Sequence, residues 1–247
     1  MEKVIEISDL TKIYSNGRGI QNINLDIYTG DIFGFLGPNG AGKTTAMKIM
    51  TGLSKADHGD VKIFGRSITE EYEKAMAGVG CLIEVAQAYP YLTAYENLKQ
   101  QARYYPGIDD KRIDEVLELT GILKYKNEKP KKFSLGMKQR LGLAAAILSR
   151  PKVLILDEPL NGLDVEGMIE IRNLILHLAK NEQTTFFISS HLIHDVELTC
   201  NRIGIIFEGK LLGVETTKNI LNSYPTLEDY FVSEVEKYGR ISGSISQ

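Results

Sequence analysis

The sequence predicts an α/β chain with three parts: a core carrying a parallel sheet, an antiparallel β subdomain and an inserted helical subdomain. Three observations predict this. The apolar run Ile32-Phe33-Gly34-Phe35-Leu36 feeds a glycine-rich loop that opens the helical-looking Ala46-Met47-Lys48-Ile49-Met50, so strand, loop and helix follow one another directly. From Val153 onward, short apolar runs alternate with helical periods, which is the pattern of parallel strands joined by crossover helices. Between these regions, over about residues 86–150, the apolar period is mainly helical.

In chain order, Val4 to Ile7 and Leu25 to Tyr28 alternate apolar and polar residues and read as half-buried antiparallel strands, with Thr29-Gly30-Asp31 as a turn before the loop's strand. Val61 to Phe64 continues that pattern between His58-Gly59-Asp60 and Gly65, with His58 an ordinary turn residue. Leu92 to Thr120 turns helical, with Ile113, Val116, Leu117 and Thr120 on one face and Gly121 just past the end. Ser134 to Leu148 is a further helix. Val153 to Leu156 is a continuous apolar run suited to a strand buried on both faces. Met168, Ile171, Ile175 and Leu178 stripe the next helix, Thr184 to Ser189 is a strand and Ile193 to Thr199 a helix. Ile203 to Phe207 and Leu211 to Val214 flank Glu208-Gly209-Lys210 as a closing hairpin. Residues 1–222 are expected to form one domain. Residues 223–247 are a short C-terminal extension, where Thr226 and Asp229 have capping-box spacing for a final short helix.

The 247 residues suffice for one buried core with an inserted subdomain. Lys and Arg total 29 against 32 Asp and Glu, so no global basic field draws the chain to nucleic acid or anionic lipid, and no nucleic-acid partner is expected. The run Lys126 to Lys132 reads as a solvated loop. Cys81 and Cys200 are few and far apart, which suits a reducing compartment. No stretch reaches the ~18 apolar residues of a membrane span, and the N-terminus carries no signal-like apolar segment. The expectation is a soluble, intracellular chain.

The loop Gly37-Pro38-Asn39-Gly40-Ala41-Gly42-Lys43-Thr44-Thr45 is where the chemistry starts. Glycines at these positions remove the Cβ atoms that would keep a backbone from curling around phosphate, so successive N–H groups and a helix N-terminus can point at one anion. Lys43 supplies a mobile charge for the β- and γ-phosphates, and the Thr44 hydroxyl is placed for Mg²⁺. The full G-x-x-x-x-G-K-T spacing with its strand and helix flanks predicts a P-loop NTPase core, against the bland alternative of a glycine-rich turn followed by Lys-Thr.

Asp157 and Glu158 end the Val153 strand. In an open α/β sheet that end faces the ligand crevice. Asp157 would hold Mg²⁺, usually through water, and Glu158 would polarise the water attacking the γ-phosphate; two exposed turn carboxylates before Pro159 are the bland alternative. Ser134, with the Gly136 backbone, makes a second anion site at a helix start, although a serine there is by itself more often just a cap.

Taken together, the phosphate loop, Phe133-Ser134-Leu135-Gly136-Met137, Leu156-Asp157-Glu158-Pro159, Asn161-Gly162-Leu163-Asp164 and Ser190-His191 resemble the ATP-binding cassette (ABC) ATPases over roughly residues 2–221. The resemblance implies ATP and Mg²⁺ as cofactors, and a dimer in which signature residues Ser134 and Gly136 contact the γ-phosphate held by the opposite cassette. It implies Tyr14 as the aromatic that stacks on adenine, with surface packing as the alternative for a lone tyrosine beside Lys12. It implies His191 as the switch histidine at the γ-phosphate and Asp164 as a link across the dimer. His177 and His194 match nothing. Glu84 stands where the family usually has Gln, which adds a negative charge on the metal side. Leu135 and Met137 also depart from the usual signature, and Gln87 is out of register.

Ile83-Glu84, Tyr89 to Leu98 and the signature Ser134 to Arg140 resemble the exporter branch that includes bacitracin-resistance and lantibiotic-immunity subunits. The function so implied is an ATP-hydrolysing motor, a homodimer or paired cassette, exporting an antimicrobial peptide or drug. It would work with an integral membrane permease and sit on the cytoplasmic face of the membrane through it. A soluble ABC-type ATPase not tied to transport is the alternative, and a small-molecule kinase is a second rival, disfavoured because Glu158, the signature and His191 suit water as the acceptor. The stretch Val85 to Leu98, carrying Tyr89, Pro90, Tyr91 and Tyr95 on an expected exposed surface, is the expected permease contact, with Glu84 linking it to the metal side.

Overall fold

A computed structural model of the chain describes residues 2–84 and 88–243, with the side chains of 241–243 left aside. Gln87 and the first residues of the expected permease contact lie outside these. In chain order the elements are β1 (Lys3–Ile13), β2 (Gly19–Tyr28), β3 (Ile32–Leu36), α1 (Lys43–Met50), β4 (His58–Ile63), β5 (Arg66–Ser67) and α2 (Tyr72–Met76). There follow β6 (Val79–Leu82), α3 (Ala94–Ala102), α4 (Asp110–Leu119), α5 (Leu135–Ile147), β7 (Val153–Asp157) and α6 (Val165–Asn181). The chain closes with β8 (Thr185–Ser190), α7 (Ile193–Thr199), β9 (Arg202–Phe207), β10 (Lys210–Thr216), α8 (Thr217–Ser223) and α9 (Leu227–Gly243). Two compact units result, one from Met1–Ala77 with Thr185–Gln247 and the other from Gly78–Thr184.

The first unit holds an antiparallel sheet in the order β2-β1-β4-β5. It also holds parallel pairs of β3 with β8 and β9, edged by antiparallel β10. Every residue of β3 and β8 is buried; β3 reads as an unbroken apolar run, whereas β8 is apolar at Phe186 to Ile188 and buries Thr185, Ser189 and Ser190 beside them. Phe33, Phe35, Phe186 and Phe187 are fully buried, and Phe33 stacks on Phe187 with ring centroids 5.5 Å apart. Each such ring contributes on the order of 2 kcal/mol by leaving water. The β9–β10 hairpin turns at Glu208-Gly209 as its sequence suggests.

β1 and β2 are longer than their alternation announces, at 11 and 10 residues. Polar Ser8-Asp9 and Gln21-Asn22 break the pattern, and the strands absorb them through register shifts on either side of Leu10, with Asp9 and Asn22 both at φ 49°. The last helix also exceeds expectation. α9 runs for 17 residues and packs on α7, α8, β9 and β10, burying Leu227 and Tyr230. Thr226 does cap it, since its hydroxyl oxygen accepts from the Asp229 N–H at 3.1 Å.

The second unit pairs β6 with β7 in parallel, from Val79↔Val153 to Leu82↔Leu156, and packs α5 on β6. The helical stretch expected from Leu92 to Thr120 is two helices, α3 and α4. Tyr105-Pro106-Gly107 separates them, because Pro106 has no N–H to give and Gly107 takes a left-handed φ of 87°. Thr93 and Glu96 form a capping box on α3, and Asp109 caps α4. Arginines join α4 to α5 at both ends of α4. Arg112, buried near the start of α4, donates from Nε to Leu148 O (3.1 Å) and from Nη2 to Ile147 O (2.6 Å) at the end of α5. Arg140, in the middle of α5, donates to Thr120 O (2.9 Å) at the end of α4. Among the described residues no helix is long and apolar enough to cross a membrane.

Candidate functional site

In the first unit the phosphate loop lies between β3 and α1. Leu36 pairs with Ser190 across β3 and β8, and the Gly37 N–H donates to Ser190 O at 3.2 Å, so His191, the next residue, emerges exposed beside the mouth of the loop. Pro38, Asn39 and Gly40 are exposed, whereas Ala41 and Lys43 are buried. Lys43 folds back over the loop, donating from Nζ to Gly37 O at 2.6 Å and to Pro38 O at 3.3 Å. Two loop carbonyls thus hold a charged donor inside the curve of the loop.

Gly42 opens α1 at φ 108°, and no side chain caps the helix. A Cβ there would also stand 2.5 Å from the Ile20 side chain, so only glycine lets the loop lie against the start of β2. Thr44 and Thr45 follow in the first turn, half-buried. Tyr14, 40% exposed, stands at the tip of the β1–β2 hairpin in this same unit.

In the second unit, Asp157 is the last residue of β7 and is buried, with Glu158 next at φ 48°. Glu84 follows β6 at φ 59°, and because β6 and β7 run parallel, Glu84 and the Asp157-Glu158 pair lie at the same end of that strand pair. Left-handed φ at non-glycine residues costs on the order of 1–3 kcal/mol and collects at functional sites. Both glutamates carry it.

Ser134 caps α5, its Oγ accepting from the Met137 N–H at 3.2 Å. One turn on, Gln139 donates from Nε2 to Glu158 O at 3.2 Å, so the signature helix holds the backbone of the candidate base. The sequence shows Gln139 only as part of the signature. Nothing in its spacing separates a buried anchor from a surface glutamine, and the contact is visible only once α5 meets the turn after β7.

A cleft of about 550 Å³ opens in this unit, lined by Ser134, Gly136, Met137, Arg140, Gly162 and Asp164 among others. A Cβ on Gly136 would stand 3.1 Å from both Gly162 O and the Leu163 side chain, so any larger residue there would press the turn back by a few tenths of an ångström. Asp164 has a local task too: it caps α6, accepting from the Gly167 N–H at 3.0 Å. The first unit thus brings His191 beside the loop and carries Tyr14 on the hairpin whose returning strand meets Gly42; the second gathers Ser134, Gly136 and Asp164 on one cleft and Glu84, Asp157 and Glu158 at one strand end. His177 and His194 are exposed, and His177 Nδ1 lies 2.9 Å from the Asn181 amide. Among the described residues no cluster of three or more His, Cys, Asp or Glu could hold a metal.

The profile of the ABC transporter family matches residues 20–161. The bacitracin transport ATP-binding protein BcrA of Bacillus licheniformis is 46% identical over 213 residues, spanning 86% of this chain and 69% of that protein. The lantibiotic transport ATP-binding protein SrtF of Streptococcus pyogenes is 38% identical over 226 residues, spanning 89% of this chain and 96% of that protein. A solved dimeric ATP-binding cassette, MJ0796 in a post-hydrolysis state bound to ADP and Pi, superposes with a TM-score of 0.78 at 25% identity, covering 86% of this chain and 98% of that one.

Proposed function

This chain belongs to the ABC transporter family and is an ATPase, and from that premise we propose that it is the motor subunit of an exporter of antimicrobial peptides. The observation that carries the ATP-handling part is Lys43 held among the carbonyls of a glycine loop whose helix begins without a side-chain cap. Kinship with the bacitracin and lantibiotic transport subunits carries the substrate class.

Within this reading each residue has a task. The backbone of Gly37 to Gly42 and the Lys43 ammonium bind the β- and γ-phosphates, Thr45 continues the helix start beneath them, and Tyr14 stacks on the base. Glu158 takes the proton of the attacking water while His191 steadies the γ-phosphate. Ser134 and Gly136 offer a hydroxyl and an N-terminal helix dipole to the phosphate of a second cassette, so the working form is a homodimer or a pair of cassettes.

Mg²⁺ fits the donors available. Thr44, Asp157 and Glu84 each carry the hard oxygen that Mg²⁺ takes, and Mg²⁺ keeps several waters and leans on substrate phosphates. The ion would neutralise phosphate charge. Glu84 in place of the family's usual Gln adds a negative charge on that side. The chain is placed on the cytoplasmic face of the membrane by docking to a permease through the surface that includes Tyr89 and Tyr91, which are 56% and 65% exposed with rings 5.8 Å apart.

The test is co-purification from membranes with a co-expressed candidate permease, followed by ATPase assays with and without bacitracin-class and lantibiotic peptides. Retention with the permease and peptide-stimulated hydrolysis is the expected result. A chain that stays out of the membrane fraction and hydrolyses ATP indifferently to peptide would instead be an ABC ATPase not tied to transport.

A further inference from the structure

The backbone on either side of Tyr14 is fixed by a clamp centred on Asp57. β1 and β4 pair antiparallel as far as Thr11↔His58, where the ladder would end. Asp57, one residue earlier, extends it. Its own N–H donates to Thr11 O at 2.8 Å, its Oδ2 accepts from the Ile13 N–H at 2.8 Å, and its Oδ1 accepts from Lys12 Nζ at 2.7 Å. One carboxylate therefore fixes the backbone immediately before Tyr14 and the side chain two residues before it.

The other side of Tyr14 is fixed as well, by its N–H donating to Arg18 O at 2.8 Å and its carbonyl accepting from the Gly17 N–H at 2.9 Å. The Lys12 ammonium, pinned by Asp57, lies 5.9 Å from the centroid of the Tyr14 ring. That hairpin re-enters the sheet at Gly19-Ile20, against the phosphate loop: a Cβ on Gly42 would stand 3.1 Å from Gly19 O. The hairpin bearing Tyr14 is thus referenced to the phosphate loop at one strand and to Asp57 at the other. The Lys12 ammonium first, and the Ile13 N–H second, hold the Asp57 carboxyl below its ordinary range, so it stays ionised at any working pH.

We propose that Asp57 is a positioning residue for the nucleotide base: by clamping Ile13 and Lys12 it holds the Tyr14 ring in its stacking orientation. This rests on the reading of Tyr14 as the base-stacking residue. Stacking depends on a π-face and a preset ring orientation, and a ring that must be ordered on binding loses affinity through the entropy of ordering. Asp57 touches no phosphate-binding residue, so its effect should fall on base binding and leave turnover alone.

The experiment compares Asp57→Ala, Asp57→Asn and Tyr14→Ala in the full chain, using ATP and, as a baseless probe, inorganic tripolyphosphate. Asp57→Ala should raise the Kd and KM for ATP by about three- to tenfold, leave kcat within twofold, and leave tripolyphosphate binding unchanged. Asp57→Asn keeps an oxygen for the Ile13 N–H but loses the ion pair, so its effect should be smaller. In the Tyr14→Ala background, adding Asp57→Ala should change ATP binding no further, because the two act through one contact.

The outcomes separate the two readings. ATP binding untouched by Tyr14→Ala removes the stacking role itself and this inference with it. ATP binding weakened by Tyr14→Ala but not by Asp57→Ala overturns the clamp alone. Equal loss of ATP and tripolyphosphate in Asp57→Ala makes Asp57 a general structural residue, and additive effects in the double variant do the same.

Discussion

Two helices of this protein begin at candidate anion sites, and they begin differently. α1 starts from Gly42 in a left-handed conformation without a side-chain cap, while α5 starts from Ser134, whose own hydroxyl already accepts from the Met137 N–H. The first N-terminus is organised by backbone and by a lysine folded over the loop. The second is capped by its own serine and faces an open cleft. Helix-dipole physics is common to both, but only α5 has a side chain capping its first turn. This teaches that two helix starts of the same dipole can be built in opposite ways, one from backbone and glycine and the other from a capping side chain.

The surroundings differ in the same sense. The loop before α1 is set against β8 and the β9–β10 turn by main-chain hydrogen bonds, Gly37 N–H to Ser190 O and Gly209 N–H to Ala41 O, whereas α5 is held by side chains: Arg112 at its end, Arg140 at its middle, and Gln139 reaching to Glu158 O. Main-chain frames tolerate substitution at the surface; side-chain staples do not. Each contrast can be broken by a single change.

The largest effect is expected at Glu158. Glu158→Gln should lower steady-state hydrolysis by about 10² to 10⁴ while ATP still binds, since the loop is untouched. Phosphate release and nucleotide binding measured on one preparation check this, and near-normal turnover would remove Glu158 as the base. Lys43→Ala comes next. Loss of a charged donor from the phosphates should weaken ATP binding by about a hundredfold, equivalent to one or two charged hydrogen bonds. Equilibrium dialysis with labelled ATP reads it directly, and unchanged binding would mean that the α1 site is carried by backbone alone.

Arg112→Met tests the staple on α5. Removing a buried guanidinium that serves two helix-terminal carbonyls should cost about 3 kcal/mol and lower the thermal midpoint by several degrees, with ATP affinity of the remaining folded protein unaltered. A midpoint within a degree of the parent would show that α4 and α5 hold together by apolar packing. Ser134→Ala is the smallest change, about 1 kcal/mol for the lost cap. It sharpens the comparison when set beside Ser134→Arg, which fills the mouth of the cleft. Only the latter should abolish ATP-dependent dimerisation of the Glu158→Gln protein in sedimentation.

Much of this was legible in the residues. The phosphate loop, the strand ending in Asp157, the helix from Ser134 and the β9–β10 hairpin stand where spacing and periodicity place them, because each is governed by neighbours within a few positions. Local sequence also carries the cap at Thr226 and the glycine of α1, since both answer to backbone geometry alone. The break at Tyr105-Pro106-Gly107 was present in the sequence as well, but a strong helical period on either side masked it.

What only the tertiary structure decided are contacts whose partners lie far apart along the chain. Asp57 meeting Ile13, Arg112 meeting Ile147 and Gln139 meeting Glu158 O each depend on a strand or helix arriving from elsewhere, and a charged or amide side chain reads the same in sequence whether it ends in solvent or on a distant carbonyl. The full lengths of β1, β2 and α9 belong here too. Bulges and a packed apolar face stabilise residues whose own pattern does not demand a strand or a long helix, and that stabilisation exists only once the neighbouring elements are in place.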